Sequence, residues 1–335
     1  AFTSALTINY SNTLKTLKPL PWNPRFCLDL DKIFTPLVLV GHHGREDRRM
    51  FKSLDDVFDN QPVSGQPSRN VLVVGDAGSG KSTLLSKTAL DWSCKKGRLP
   101  DMNKIVLLIR LREVHSDKSI AQIVWDQCVT KSAKGISDSC IATCLQDYES
   151  KIVFLLDGYD ELVQDAKAST QAVPELLAKK LYPACTVMVT SRPSSGIEEY
   201  MNIDCTVNVM GFSSALVDKY VPLYFKAVKK PGLADSLVKA LDTKANIVAR
   251  GLIQSPMFLV LICALWEDKP TIVQFPVTMS GLHQELLTCV IRKYCVRERL
   301  PKDKVPSEVS TALQHLGKLA LESLLKGESL VDLGK

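Results

Sequence analysis

Val71 to Leu84 read VLVVGDAGSGKSTL, and the rest of the chain is organised around this stretch. Val71-Leu72-Val73-Val74 has the length and continuous apolar character of a buried strand. Gly75-Asp76-Ala77-Gly78-Ser79-Gly80-Lys81-Ser82 is a full G-x-x-x-x-G-K-[ST] match, and Ser82 to Trp92 carries helical spacing. Strand, glycine loop and helix in that order are the setting a phosphate-binding loop needs. The glycines let successive backbone N–H groups turn inward around an anion, and the helix adds its positive end. Lys81 is expected to reach the β- and γ-phosphates, and the Ser82 hydroxyl, with Thr83 beside it, to sit on Mg²⁺. Four constrained positions coincide by chance roughly once in 10⁵ windows. The loop therefore reads as a nucleotide site and not as an ordinary turn.

Outward from the loop, strand patterns recur at Ile105 to Leu111, Ile152 to Leu156, Thr186 to Thr190 and Thr206 to Met210. Helical patterns lie between them at Ser119 to Val129, Ser137 to Tyr148 and Thr170 to Leu181. This alternation predicts an α/β fold, a parallel sheet with helices on both faces. After Gly211 the β signal stops. Ser213 to Val228, Leu233 to Leu241, Lys244 to Gln254 and Pro256 to Trp266 read as four helices of a small helical domain, and Thr278 to Arg299 and Pro306 to Lys326 as two more. Upstream, residues 1 to 30 read as an irregular lead-in, since Pro19, Pro21 and Pro24 interrupt it. Ile33 to Val40 reads as a strand that Pro36 places at an edge or a bulge. Arg45 to Phe58 reads as a charged helical connection, and Gln61 to Ser68 as a loop. The expected boundaries are 1–50 for the lead-in, 51–211 for the nucleotide domain, 212–270 for the helical domain and 271–335 for the closing segment.

Two strand ends carry the chemistry. Ile152 to Leu156 runs into Asp157-Gly158-Tyr159-Asp160-Glu161, and an apolar strand ending in an acid is the second half of a phosphate-loop site. Asp157 is the expected Mg²⁺-side carboxylate. A further acid near the γ-phosphate can orient or deprotonate the attacking water. Thr186 to Thr190 leads into Ser191-Arg192-Pro193, where Arg192 can reach a γ-phosphate and report its presence.

Composition bounds the rest. With 45% hydrophobic and 23% charged residues in 335, the chain has the makeup of a globular protein of two or three domains. A net charge of +6, scattered among acids, argues against a nucleic-acid track. Ten cysteines show no C-x-x-C, and Cys185, Cys205 and Cys263 fall in apolar runs, which suits a reducing cytosol. No signal peptide is visible, so the Asn9-Tyr10-Ser11 sequon is expected to be idle. The longest apolar run, Met257 to Trp266, is too short to span a bilayer and reads as a buried helix. The chain is expected to be a piece of a larger, cytoplasmic protein.

GDAGSGKST, then Ala89-Leu90-Asp91-Trp92 closing the first helix, then FLLDGYDEL and VTSRP, together resemble the NACHT domain of NOD-like receptors, which belong to the signal-transducing P-loop ATPases. The resemblance runs from about Leu28 to the end. It implies an ATP/ADP switch built from a nucleotide-binding domain, a helical domain and a winged helix, the last beginning within 271–335 around Leu313 to Leu330. It further implies slow ATP hydrolysis, self-association in the ATP-bound state, a role in innate-immune signalling, and effector and ligand-sensing domains outside this segment. Carried over residue by residue, Phe34 and Thr35 match the segment lying against adenine, and Pro256 matches a helical-domain proline packing on the same base. Arg192 matches the first sensor, and Glu161 the acid that positions the hydrolytic water, with Asp160 beside it. His315 and His283 do not match the winged-helix histidine that grips ADP, and His315 reads as a partly exposed helix residue. A remodelling or motor ATPase of the AAA type stays open as an alternative from the residues alone. A metabolic phosphotransferase is disfavoured, because the helical last third offers no acceptor pocket.

Overall fold

Strands with almost no polar residue can be stable only where both faces are covered, and the structure sets those at 70–74, 186–191, 152–157 and 105–110 side by side in one sheet. This computed structural model describes residues 1–19, 26–43, 47–58, 68–130, 133, 135–168, 170–242, 251–270, 278–301 and 305–325. Its strands are β1 (Thr16–Leu17), β2 (Leu28–Asp29), β3 (Val38–His43), β4 (Asp47–Phe51), β5 (Asn70–Val74), β6 (Ile105–Arg110), β7 (Ile152–Asp157), β8 (Thr186–Ser191) and β9 (Cys205–Gly211). β1 and β2 pair as a small antiparallel ribbon. The other seven form one sheet in the order β4-β3-β9-β5-β8-β7-β6. β9, β5, β8, β7 and β6 run parallel, and β3 and β4 add an antiparallel edge. The fold is α/β.

The helices are α1 (Phe2–Thr13), α2 (Leu30–Ile33), α3 (Lys81–Ser93), α4 (Arg98–Asp101), α5 (Ile120–Cys128), α6 (Asp138–Asp147), α7 (Ala172–Leu177), α8 (Ser214–Ala227), α9 (Ala234–Asp242), α10 (Pro256–Asp268), α11 (Met279–Arg297) and α12 (Ser307–Leu325). Ser119 and Gln122 form a capping box at the start of α5. α10, the longest apolar run, is buried through Leu259, Ile262, Cys263 and Leu265. Trp266 Nε1 donates to Ser236 Oγ at 3.1 Å, joining α10 to α9. α11 packs on α10 through Leu286 and Cys289 and the pairs Lys269–Glu285 and Arg292–Asp268. Among the described residues no helix is long and apolar enough to cross a membrane.

Three expectations need correction. Residues 2–13 are helical, because Leu6 and Tyr10 lie one turn apart and both are buried, while the prolines come only after the helix has ended. Tyr10 packs edge-on against Trp92 of α3 at 6.0 Å; its hydroxyl donates to the Val106 carbonyl at 3.2 Å and accepts from the Leu108 amide at 2.9 Å. The segment 45–58, expected helical, holds strand β4 and a short 3₁₀ turn at Leu54–Phe58. The charges of Arg48 and Arg49 suit an exposed sheet edge, and Phe51 turns inward over Gly41, where an added Cβ would come within 2.2 Å of its ring. β3 starts at Val38, after Pro36, and lies second from the edge because β4 covers it; the expected irregularity is a register shift between Val38 and Leu39. Residues 244–250 of the helix expected up to Gln254, residues 61–67 and residues 326–335 lie outside the described residues.

Asn9 is buried and its side-chain amide donates to the Cys128 carbonyl at 2.9 Å, so the sequon is committed to the core. No disulfide joins any of the ten cysteines. Burial pushes Cys128 and Cys205 up to about 12, which keeps both thiols protonated and unreactive.

Because α1 is held to the sheet by one hydroxyl, Tyr10→Phe should cost about 1–3 kcal/mol, leaving the buried Leu108 N–H without that acceptor. Urea unfolding measures this, and a midpoint equal to that of the native chain would show that α1 is not anchored there.

Candidate nucleotide-binding site

The site forms at the carboxyl ends of β5, β8 and β7, where the chain leaves the sheet three times side by side. β8 separates the loop strand from the acidic strand, with Val74 opposite Ser191 and Leu156 opposite Val189. Ligands of open α/β sheets bind at such an edge.

The loop runs from Val74 to the first residue of α3, Lys81. Gly78 (φ +75°) and Gly80 (φ +99°) take left-handed backbone that side chains resist. Ser79 is buried, and its Oγ has no hydrogen-bond partner among the described residues. The Lys81 ammonium folds onto its own loop, donating to the carbonyls of Gly75 at 2.5 Å and Asp76 at 2.9 Å. Burial lowers its pKa, against the opposing pull of the Asp160 carboxylate.

Opposite the loop, Asp157 Oδ1 accepts from Ser82 Oγ and from Thr190 Oγ1, both at 2.9 Å. The Gly158 amide donates to the same Thr190 hydroxyl at 2.8 Å. Gly158 (φ +80°) then turns the chain and delivers two acids to different places. Asp160 turns to Arg192, accepting from its backbone N–H at 3.2 Å and pairing with Nε at 2.9 Å. Glu161 is exposed, with its carboxyl group lying over Gly158.

One cleft of about 370 Å³ gathers Phe34, Thr35, Ala77, Gly78, Gly80, Lys81, Ser82, Thr83, Asp157, Asp160, Glu161, Arg192 and Pro256. Gly75, Asp76 and Ser79 stand behind it and shape the loop. His315 is exposed on α12, and His283 lies against Phe258 at 5.6 Å; neither lines the cleft.

Several contributors escape the sequence reading. Thr190 and Ser191 are polar yet fully buried at the end of an apolar strand, and that polar interruption is the one sequence signal for Thr190. The Gly78 carbonyl accepts from Ser255 Oγ at 3.1 Å and from the Met257 amide at 3.3 Å, which docks the first turn of α10 on the phosphate loop. Leu17 and Lys18 beside the β1–β2 ribbon, with Phe212, Tyr220 and Val260, complete the cleft wall. These contacts depend on tertiary packing and carry no motif.

The residues fit the groups the motif implies. The left-handed glycines and the orphan Ser79 hydroxyl suit an anion cradle, and the Ser82 hydroxyl beside the Asp157 carboxylate offers hard oxygens that suit Mg²⁺. Among the described residues no group of three His, Cys, Asp or Glu could hold a metal by itself.

Comparison with known proteins agrees. The NACHT domain family matches residues 69–228. NLR family CARD domain-containing protein 4 of Bos taurus is 24% identical over 314 residues, covering 91% of this chain and 28% of that protein. Nucleotide-binding oligomerization domain-containing protein 2 of Hylobates lar is 25% identical over 298 residues, covering 81% and 27%. The chain thus spans little more than a quarter of the length of either relative. Among solved structures, a Walker-type ATPase of Pyrococcus abyssi matches at 15% identity with a TM-score of 0.41, covering 73% of this chain and 71% of that one. Residues 69–228 match the NACHT domain, and the chain as a whole is similar to NLR-family proteins.

Proposed function

We propose that this chain is the nucleotide switch of a NOD-like receptor, binding ATP or ADP with Mg²⁺, hydrolysing ATP slowly, and self-associating when ATP is bound. The observation that carries this reading is the contact between the phosphate loop and α10. A loop that only cradled phosphate for a catalytic cycle would not need its Gly78 carbonyl held by Ser255 and Met257 of another structural layer. Here a change at the phosphates can alter the seating of the helical domain directly.

In this reading Phe34 and Thr35 approach adenine from the lead-in side, and Pro256 from the helical side. The lead-in itself is tied to both neighbours. α2 packs on α8, and Lys87 of α3 lies over the Phe34 ring at 5.4 Å while pairing with Asp31 at 3.3 Å. The loop amides and Lys81 hold the phosphates, and Ser82 with Asp157 would hold Mg²⁺. When bound, that ion offsets the charge of the β- and γ-phosphates. Glu161 accepts a proton from the attacking water, and Arg192 senses the γ-phosphate. The domain boundaries expected at 50, 211 and 270, with a winged helix beginning in the last segment, belong to the same proposal. So do a cytosolic location, which cysteines outside any disulfide suit, effector and sensing domains outside this segment, and the absence of a nucleic-acid partner.

Truncating the lead-in would remove α1 from the core, so point substitutions test the base pocket better. Pro256→Ala and Phe34→Ala should each weaken ADP binding about tenfold by removing apolar contact area, and the native chain should prefer ADP to GDP. Calorimetry gives the affinities, and mass photometry with ATP and with ADP follows assembly. If both variants bind ADP as the native chain does, the base lies elsewhere.

A further inference from the structure

The two adjacent acids after Gly158 do not have equivalent surroundings. The Asp160 side chain is 19% exposed, and both of its oxygens go to one residue: Oδ1 to the Arg192 backbone N–H at 3.2 Å and Oδ2 to Arg192 Nε at 2.9 Å. Glu161 is exposed and reaches toward the cleft from the far side of the same turn. A carboxylate bound to both the main chain and the side chain of one arginine restricts that side chain near its root. Free arginine carries large rotamer entropy, so such restraint before ligand arrives lowers the cost of forming each new hydrogen bond. The atom Asp160 takes is Nε, the inner nitrogen. The outer Nη1 and Nη2 end of the guanidinium, the edge that forks onto phosphate oxygens, belongs to a side chain that lines the cleft.

We infer that Asp160 is a positioning residue for γ-phosphate recognition: it holds Arg192 by Nε and the backbone so that the outer guanidinium edge meets ATP but not ADP. This rests on the proposed sensing role of Arg192, and it separates Asp160 from the water-activating task given to Glu161. The Arg192 side chain is 48% exposed, so the pair adds little as an ion pair, and what Asp160 supplies is orientation. The Lys81 ammonium lies in the same field, and the Asp160 carboxylate favours its charged form. The charged groups that share the cleft with Arg192 are Asp160, Lys81, Asp157 and Glu161. Of these, Asp160 makes the direct contacts with its side chain and backbone.

The test measures dissociation constants for ADP and for a non-hydrolysable ATP analogue by displacement of a fluorescent nucleotide. The proteins compared are the native chain, Arg192→Ala, Asp160→Ala, Asp160→Asn and the Arg192→Ala/Asp160→Ala double variant. Arg192→Ala should reduce the preference for the analogue over ADP about tenfold, the size of one charge-assisted contact. Asp160→Ala should reduce it about fivefold while ADP affinity stays within about twofold, and Asp160→Asn, which keeps one acceptor oxygen, should fall between. The double variant should match Arg192→Ala, because the aspartate acts through the arginine. A general loss of structure would lower ADP binding as well, so the ratio separates it from lost positioning. Three results would overturn the inference. A rise in analogue preference with Asp160→Ala would make the aspartate a competitor of phosphate. An equal loss of both nucleotides with a higher Mg²⁺ requirement would make it a metal-side acid. Independent, multiplying losses in the double variant would remove the link to Arg192. If Arg192→Ala leaves the ratio unchanged, the sensor reading fails and takes the inference with it. If only Asp160→Ala leaves the ratio unchanged, the inference alone fails.

Discussion

Glu161→Gln is expected to keep ATP bound and to lose turnover by about 10²- to 10⁴-fold, the usual cost of removing a general base. Of three neighbouring acids, two are already committed to other partners. Asp157 spends Oδ1 on the hydroxyls of Ser82 and Thr190, and Asp160 spends both oxygens on Arg192. Glu161 is the exposed one, carried into the cleft by the left-handed Gly158. Glutamine preserves its shape and cannot take a proton. Single-turnover phosphate release, with the retained nucleotide identified after gel filtration, measures both halves of the expectation. Native turnover in Glu161→Gln together with lost turnover in Asp160→Asn would reverse the assignment.

Lys81→Ala is expected to weaken ADP and ATP alike by about 10²-fold. The ammonium is the loop's own cation, and two charge-assisted contacts of roughly 1.5 kcal/mol each account for a loss of that order. The fold should tolerate the change. The side chain donates to the carbonyls of Gly75 and Asp76, and both lie at the mouth of the loop. Thermal unfolding without nucleotide should therefore be nearly unchanged, while the stabilisation that saturating ADP confers should shrink. Undiminished nucleotide affinity would mean that the phosphates sit elsewhere. Self-association should follow occupancy, falling in Lys81→Ala and rising with ATP in Glu161→Gln, whereas an enzyme working on a substrate would be disabled by both.

Much of this site is legible in the sequence because its chemistry is local along the chain. The loop, its strand and its helix are continuous from Val71 to Trp92, and the acidic strand and the arginine strand each announce themselves as an apolar run with a charged end. What escapes is long-range. Thr190 matters because β8 lies between β5 and β7, an order that no spacing along the chain states. Ser255 matters because α10 docks on Gly78, 177 positions away. α1 is hidden because its short apolar stripe precedes a proline-rich stretch, and composition alone extends that irregular character back over it. β4 passes for a helix because charge on a sheet edge and charge on a helix surface look alike in composition. Asp160 and Glu161 are adjacent and chemically similar, and only the turn at Gly158 assigns them different neighbours.

The contact between the phosphate loop and α10 is the centre of the account, and hydrogen exchange reads it directly. The Met257 amide donates to the Gly78 carbonyl, so its protection reports whether the helical layer is seated. Exchange would be followed over Gly78 to Ser82 and Ser255 to Val260 in Glu161→Gln, which holds ATP without consuming it, with saturating ADP and then with saturating ATP. Both segments should be strongly protected with ADP, whereas with ATP the loop should stay protected while the first turn of α10 exchanges faster. Identical protection of Ser255 to Val260 in the two nucleotides, with both bound, would contradict this.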